Sequence, residues 1–595
     1  MSRTNSILFR RDRTWLMAIA MIVALVSVSL ASLLMQVEQA YAAAPTGFTS
    51  QTYYDTDNDG IIDQVDVVIN GGEALTTCDV ADAEIPTDWT YVGNDIGGSL
   101  AATGHSCVLG TATVTLIITG ANADTTGHST APTIAYDNDD ADASIVNASG
   151  TLGTVGAANI TDGAAPIITA VVLSSASNRN RVSFTYSENM TIVNGASTGT
   201  KGDTDTAGTV DGFGTFATTG DVTVNTGLNT VGGNGTSTLY VDLADQAAGY
   251  MNTASTTEPS GVFSESASAS IVDGVGLQVN TSGADPTASG GGSWDLTKPA
   301  LTSITVSDAA GNNGKIDRAV VVFDSSVRDA NITAADATLS STAGTTTVTF
   351  DTGTANDATA TFNRTADDAA VDTAIGTESD FDYSAATTKI TDLAGNLLDT
   401  SVDGAIALAD IAETDGASPI LTAVALSSAS NRNRLSFTYS ENMTVANGAS
   451  TATKGDLDSA GLVRGFGSFG TANDVTVTAG LNTVGGNGTS TITIDLADQA
   501  GGYMDSTSTT EPSGNFTPAA SVDVTDGTNQ VNPSAAVVAP SGGSSWDLTK
   551  PALTSITFSD AAGNNGQIDQ AVIVFDSAVR DANITNGDAT LGSTG

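Results

Sequence analysis

Positive charge is scarce in this chain. Its 595 residues include 66 aspartates and glutamates but only 19 lysines and arginines, giving a formal net charge of −47. Nucleic acid and anionic lipid both need clustered cations to bind, so this balance argues against either as a partner. Two histidines and two cysteines leave little material for zinc sites, iron–sulfur clusters or histidine-based catalysis. Prolines number only 13 and 40% of the residues are apolar. That is enough apolar surface to build cores, and it argues against wholesale disorder. After residue 42 there is no run of transmembrane length and no convincing helical periodicity.

The one long apolar run stands at the start. Arg3, Arg10, Arg11 and Arg13 precede a stretch from Trp15 to Met35, followed by Ala40-Tyr41-Ala42. A positive start, an apolar middle and an A-x-A site read as a secretory signal peptide over residues 1–42, cleaved after Ala42. The run is also long enough to span a bilayer, so an uncleaved anchor is the competing reading and would be the only membrane contact. Cleavage removes four arginines against Asp12 and Glu38, leaving the exported part more acidic still.

The chain repeats itself. The segment from Ala165, A-P-I-I-T-A-V-V-L-S-S-A-S-N-R-N-R-V-S-F-T-Y-S-E-N-M-T, returns almost unchanged from Ser418, 253 residues later. K-P-A-L-T-S-I-T-V-S-D-A-A-G-N-N-G-K-I-D from Lys298 returns with two changes from Lys550. A composite unit of two modules, A and B, explains both pairs. The order is a B-like module (43–165), A (166–298), B (299–418), A (419–550) and the start of another B (551–595). So short a final piece cannot bury a core, and the natural chain is expected to continue beyond Gly595. Between the B copies, Val306 becomes Phe558 and Val321 becomes Ile573, while Lys315 and Arg318 become Gln567 and Gln570. Apolar positions exchange for apolar ones and charges disappear, which separates core from surface.

Val182, Phe184 and Tyr186 alternate with Ser183, Thr185 and Ser187, the period of a half-buried strand; Leu435, Phe437 and Tyr439 repeat it. Ala319–Phe323 is continuously apolar, as expected of a central strand. The class is all-β, each module being sized for a two-sheet sandwich. The joints T-D-G-A-A-P (Thr161–Pro166), T-D-G-A-S-P (Thr414–Pro419) and W-D-L-T-K-P (Trp294–Pro299, Trp546–Pro551) all end in proline. Proline fixes its own φ and restricts the residue before it, so the expected arrangement is a semi-rigid, extended array.

F-T-Y-S-E-N-M (Phe184–Met190) and I-T-D-L-A-G-N-L-L-D (Ile390–Asp399) resemble the F-S-E-x-V and D-x-A-G-N patterns of bacterial Ig-like domains of surface-layer proteins and large adhesins. Module A carries a weaker counterpart of the second, V-D-L-A-D-Q (Val241–Gln246), without the Gly-Asn. The resemblance implies tandem Ig-like β-sandwiches at a cell surface, with no catalytic role, and names no ligand.

The sharpest constellation is Asp55-Thr56-Asp57-Asn58-Asp59-Gly60-Ile61-Ile62-Asp63-Gln64-Val65-Asp66. Carboxylates at positions 1, 3, 5, 9 and 12, glycine at 6 and the Ile61 carbonyl at 7 match the register of a twelve-residue calcium loop. An apolar strand follows it where a helix is usual, so Asp66 is free to point away. An acidic β-turn satisfying its own backbone donors fits the same residues. The counterparts Asp308–Asp317 and Asp560–Asp569 have lost the central carboxylates and read as plain turns. Calcium at the joints, through Asp162, Asp415, Glu413, Asp295 or Asp547, stands beside the plainer reading of solvated acidic linkers.

Cys78 and Cys107 lie in one exported module, and a disulfide between them is expected. His105 and His128 lack a G-x-S-x-G or H-E-x-x-H partner motif and read as surface or loop residues. Trp294 and Trp546 recur beside a joint, where packing between modules is favoured over a sugar-stacking platform. The resulting functional expectation is a non-enzymatic, exported surface protein, structural or adhesive, whose partners are other surface proteins, glycans or copies of itself. The alternatives are the stalk of an extracellular enzyme and a carbohydrate-binding array.

Overall fold

The computed structural model describes residues 43–592 except 72, 79, 81–84, 123–125, 139–144, 194–201, 225–226, 253–254, 340–345, 367–370, 372, 374–380, 385–388, 399–412, 430, 447–453 and 478–479. Residues 1–42, expected to be a signal peptide, lie outside the described residues. The chain is all-β: among the described residues, helix is confined to Ile85–Asp88 and four 3-10 turns. None of the described helices is long and apolar enough to cross a membrane. Two compact units divide at the W-D-L-T-K-P joint, Met1–Leu296 and Thr297–Gly595. Four apolar clusters fill them, running from Tyr53 to Ala164, Ile168 to Trp294, Ile304 to Ala417 and Leu421 to Trp546.

In the first unit, Phe48–Tyr54, Gln64–Ile69, Thr113–Ala121 and Gly97–Leu100 form successive antiparallel neighbours. Thr161–Asp162 closes this sheet by pairing parallel to Phe48–Tyr54, with Tyr53 opposite Asp162. Among the described residues the module also has two three-stranded sheets, one of them Trp89–Val92, Thr133–Tyr136 and Val155–Asn159.

The A module that follows has two sheets. Ile168–Ala176, Arg179–Ile192, Thr236–Asp242 and Thr230–Gly232 make one, and Thr209–Val210, Gly214–Thr218 and Ser260–Glu265 the other. Period-two burial holds where expected: Val182, Phe184 and Tyr186 are buried and their neighbours half-covered up to Thr185. Phe184 stacks on Phe213 at 4.5 Å between centroids and touches Phe263 of the second sheet at 5.1 Å. These rings join the layers.

In the second unit, the second A copy repeats this architecture, its paired strands displaced by 253 positions and the residues after the shortened loop that follows Asp526 by 252. Leu421 opposes Tyr439 as Ile168 opposes Tyr186. Among the described residues of module B, a seven-stranded path runs from Phe381–Tyr383 through Ala337–Leu339, Thr346–Asp351, Thr359–Arg364, Arg318–Phe323 and Leu301–Ser307 to Thr414–Asp415, with Thr346–Asp351 pairing one neighbour through its first two residues and the other through its last four. Arg318–Phe323 is interior to this path, yet its burial alternates, since Val320 and Val322 face the half-covered side.

Candidate functional site: an acidic pocket between two modules

Parallel pairing of Thr161–Asp162 beside Phe48–Tyr54 sets the Asp162 carboxylate next to the Tyr53 hydroxyl. Glu188 arrives from the long strand Arg179–Ile192. That strand pairs with Thr236–Asp242 up to Thr185 opposite Thr238 and resumes only at Met190 opposite Thr236. The extra residues bulge, so Tyr186, Ser187 and Glu188 are buried in succession instead of alternating. Asp273 follows Ile271–Val272, which pairs with Thr191–Ile192. One oxygen from each of Asp162, Glu188 and Asp273 lies within 4.8 Å of the others.

A pocket of about 500 Å³ beside them is lined by Asp162 and Glu188 together with His128, Ser187, Asn189 and the two residues after Asp273, Gly274 and Val275, with no lysine or arginine among its lining residues. Thr126 donates to Glu188 Oε1 at 2.6 Å and shares a 2.6 Å hydrogen bond with Ser187 Oγ. The Gly127 backbone passes so close to Glu188 that a Cβ there would lie 2.4 Å from Oε2. Asp273 Oδ1 accepts three backbone amides, those of Val275, Gly276 and Leu277, at 2.5–2.9 Å. Its Oδ2 is buried without a partner. Tyr53, 1% exposed, sets its hydroxyl against the Asp162 carboxylate.

Three ionised carboxylates this close repel by on the order of 3 kcal/mol per pair at an effective dielectric of about 20. Burial pushes Glu188 up to about 8, against the Thr126 hydrogen bond and with help from Asp162 and Asp273. Burial also lifts Asp162 to about 6, and it raises the Tyr53 hydroxyl further above its ordinary value, with the nearby carboxylates adding to the effect.

The second unit builds the same cluster from Asp415, Glu441 and Asp526, each 253 positions after its counterpart. Thr373 donates to Glu441 Oε1 as Thr126 does to Glu188. Two differences bear on the cluster. Val306, opposite Asp415, stands where the first unit has Tyr53. The loop after Asp526 is one residue shorter than that after Asp273 and carries Asn529, whose Nδ2 donates to Asp526 Oδ2 at 3.2 Å.

The loop at Asp55–Asp66 is partly gathered. One oxygen from each of Asp55, Asp57 and Asp63 lies within 4.8 Å of the others, and Gly60 takes a φ of +86° at the turn. Asp55 also accepts the amides of Asn58, Asp59 and Gly60 at 2.7–3.2 Å, the mark of an acidic turn. Asp59 is engaged with the Ile61 amide at 2.9 Å. Asp66 is held on its strand by Gln64 and Thr115 at 2.8 and 2.7 Å, away from the other three. Ile61 is half-buried. In Asp308–Asp317 the end carboxylates accept their own backbone amides, from Gly314, Ala309 and Ala310, at 2.7–2.8 Å.

Of the joint acids expected to matter, Asp162 and Asp415 enter the clusters. Glu413 instead accepts the Phe381 amide, and Asp547 caps the Thr549 amide at 3.0 Å. Spacing along the chain does not single out Glu188, Asp273, Glu441 or Asp526, because strand pairing is what brings them to the clusters. Cys78 and Cys107 are bonded, with Cα atoms 6.1 Å apart. His128 lies in a loop, as expected, where it is half-buried, lines the pocket and meets the Tyr53 ring edge-on at 5.8 Å. His105 bridges Ala101 and Ile117. Trp294 and Trp546 pack inside their own A modules, 7% and 8% exposed, with Nε1 donating to the Arg181 and Arg434 carbonyls. Packing between modules is thereby corrected to packing within one, and neither ring is available as a sugar platform.

No family model and no curated protein matches the chain. Among solved structures, surface layer protein SbsC, domains 1–6, is similar at 10% identity over 90% of this chain and 59% of that one, with a TM-score of 0.14. The chain thus spans less than two thirds of that structure's length, and the score is too low to speak for a shared fold.

Another buried acid, outside the pocket, is also shifted. Glu265, 8% exposed, has no aligned partner for either oxygen. Burial, with Asp285 alongside, raises it from 4.5 to about 7. The folded state therefore holds the proton more tightly than the unfolded chain. The stability it contributes is fully present below about pH 4.5 and is lost as pH rises through about 7. Pro518 occupies the equivalent position in the second copy, so the module does not need the acid. Glu265→Gln is expected to match the parent at pH 4 and exceed it by about 1–2 kcal/mol at pH 8, once partial solvation is allowed for. Thermal melts across that range check this, and a pH-independent difference would count against it.

Proposed function

We propose that this protein is an exported, non-catalytic element of a cell surface, a tandem array of Ig-like β-sandwich modules with a structural or adhesive role. The observation that carries this reading is the repetition. Two A copies keep the same ladder register across 253 positions, which suits a part used for reach and spacing more than for one reactive centre. The acidic surface keeps such arrays soluble and self-repelling until divalent ions screen them. Its partners are other surface proteins, glycans or further copies of the chain. In the first module, calcium held by Asp55, Asp57 and Asp63, with the Ile61 carbonyl, would tighten the turn between two core strands.

Cell fractionation with N-terminal sequencing tests the reading. The expected product is in the envelope or medium and begins at Ala43. A cytosolic product with Met1 or Ser2 at its N-terminus would overturn it.

A further inference from the structure

We propose that Asp162, Glu188 and Asp273 form a binding site for a hard divalent cation of the calcium type, which ties the first module to the A module after it. The inference rests on these residues alone and stands apart from the surface reading above.

One buried polar group at this place lacks a partner. Asp273 is 2% exposed; backbone amides saturate its Oδ1, while Oδ2 has none. The Tyr53 hydroxyl, by contrast, lies against the Asp162 carboxylate. Buried polar atoms are almost always satisfied, so an orphan carboxylate oxygen beside two further converging carboxylates points to a missing partner of positive charge. The side chains gathered there offer oxygen ligands, the preference of calcium over softer metals. The pocket is large enough for an ion and several waters to complete six to eight ligands.

The chain positions of the ligands make the site a crosslink. Asp162 belongs to the last strand of the first module, and Glu188 and Asp273 belong to the next. Thr126, from the first module, already reaches across to Glu188. The second unit supplies a natural comparison, because its Asn529 amide occupies the oxygen of Asp526 that corresponds to the orphan on Asp273. The proposal is therefore confined to the first site.

The test is a calcium titration of the full chelator-treated chain by calorimetry, beside Asp273→Asn and Glu188→Gln, with folding checked by circular dichroism. The wild type is expected to bind one more calcium than either variant, or to bind it at least tenfold more tightly. Asp57→Asn, which alters only the loop, should leave that difference intact. A readout free of variants is proteolysis of the wild type, where calcium should slow cleavage around Thr161–Pro166. Equal stoichiometry and affinity in the wild type and both variants would overturn the proposal, as would unchanged proteolysis if neither variant folds.

Discussion

Phe184→Ala is expected to destabilise the first A module by about 3–5 kcal/mol. Phe184 is fully buried and sits opposite Val171 on one neighbouring strand and Leu239 on the other. Its ring also joins the two sheets through Phe213 and Phe263. Truncation would remove the central contact of both layers and leave a cavity that a rigid strand cannot collapse to fill. A loss of that size is a large part of a domain's typical 5–15 kcal/mol. Phe437 holds the same place in the second copy, between Phe466 and Phe516 at 5.0 Å each. Scanning calorimetry of the single variants should displace one A-module transition at a time, and a cost below about 1 kcal/mol would contradict this account of the core.

Loss of the disulfide ranks next. Cys78 and Cys107 are 29 residues apart in sequence, and closing a loop of that length restricts the unfolded chain by about 3–4 kcal/mol in the loop-entropy treatment. Both cysteines pack against the core of the first module, and Cys107 pairs opposite Val114. Cys78→Ser with Cys107→Ser should lower that module's melting transition and leave the two A modules unchanged. Thiol titration of the oxidised, denatured chain should find no free cysteine; two free thiols would refute the bond.

The sequence made some of this visible and hid the rest, for physical reasons. Alternation at Val182–Tyr186 is legible because a strand's two faces see different solvents. The run Ala319–Phe323 shows no alternation in its letters, yet it alternates in burial, since apolar side chains also occupy its half-covered face. The tryptophans were placed beside a joint by their position in the chain, but the fold turns them back into their own cores. The acidic clusters stayed hidden because strand pairing and a bulge, not local spacing, bring their members together. Their trace is repetition alone: Asp162, Glu188 and Asp273 all reappear, as Asp415, Glu441 and Asp526, and around Asp273 the neighbours Ile271, Val272 and Val275 become Val524, Thr525 and Thr528.

The alternation of unlike modules also bears on how the chain reaches its folded state. Near-identical strands such as Arg179–Ile192 and Arg432–Val445 can compete for each other's places, the usual route by which repeat proteins misassemble. Between them stands module B, with a different strand order. During synthesis the first A sandwich can close before its double emerges, with a non-interchangeable neighbour keeping the two apart.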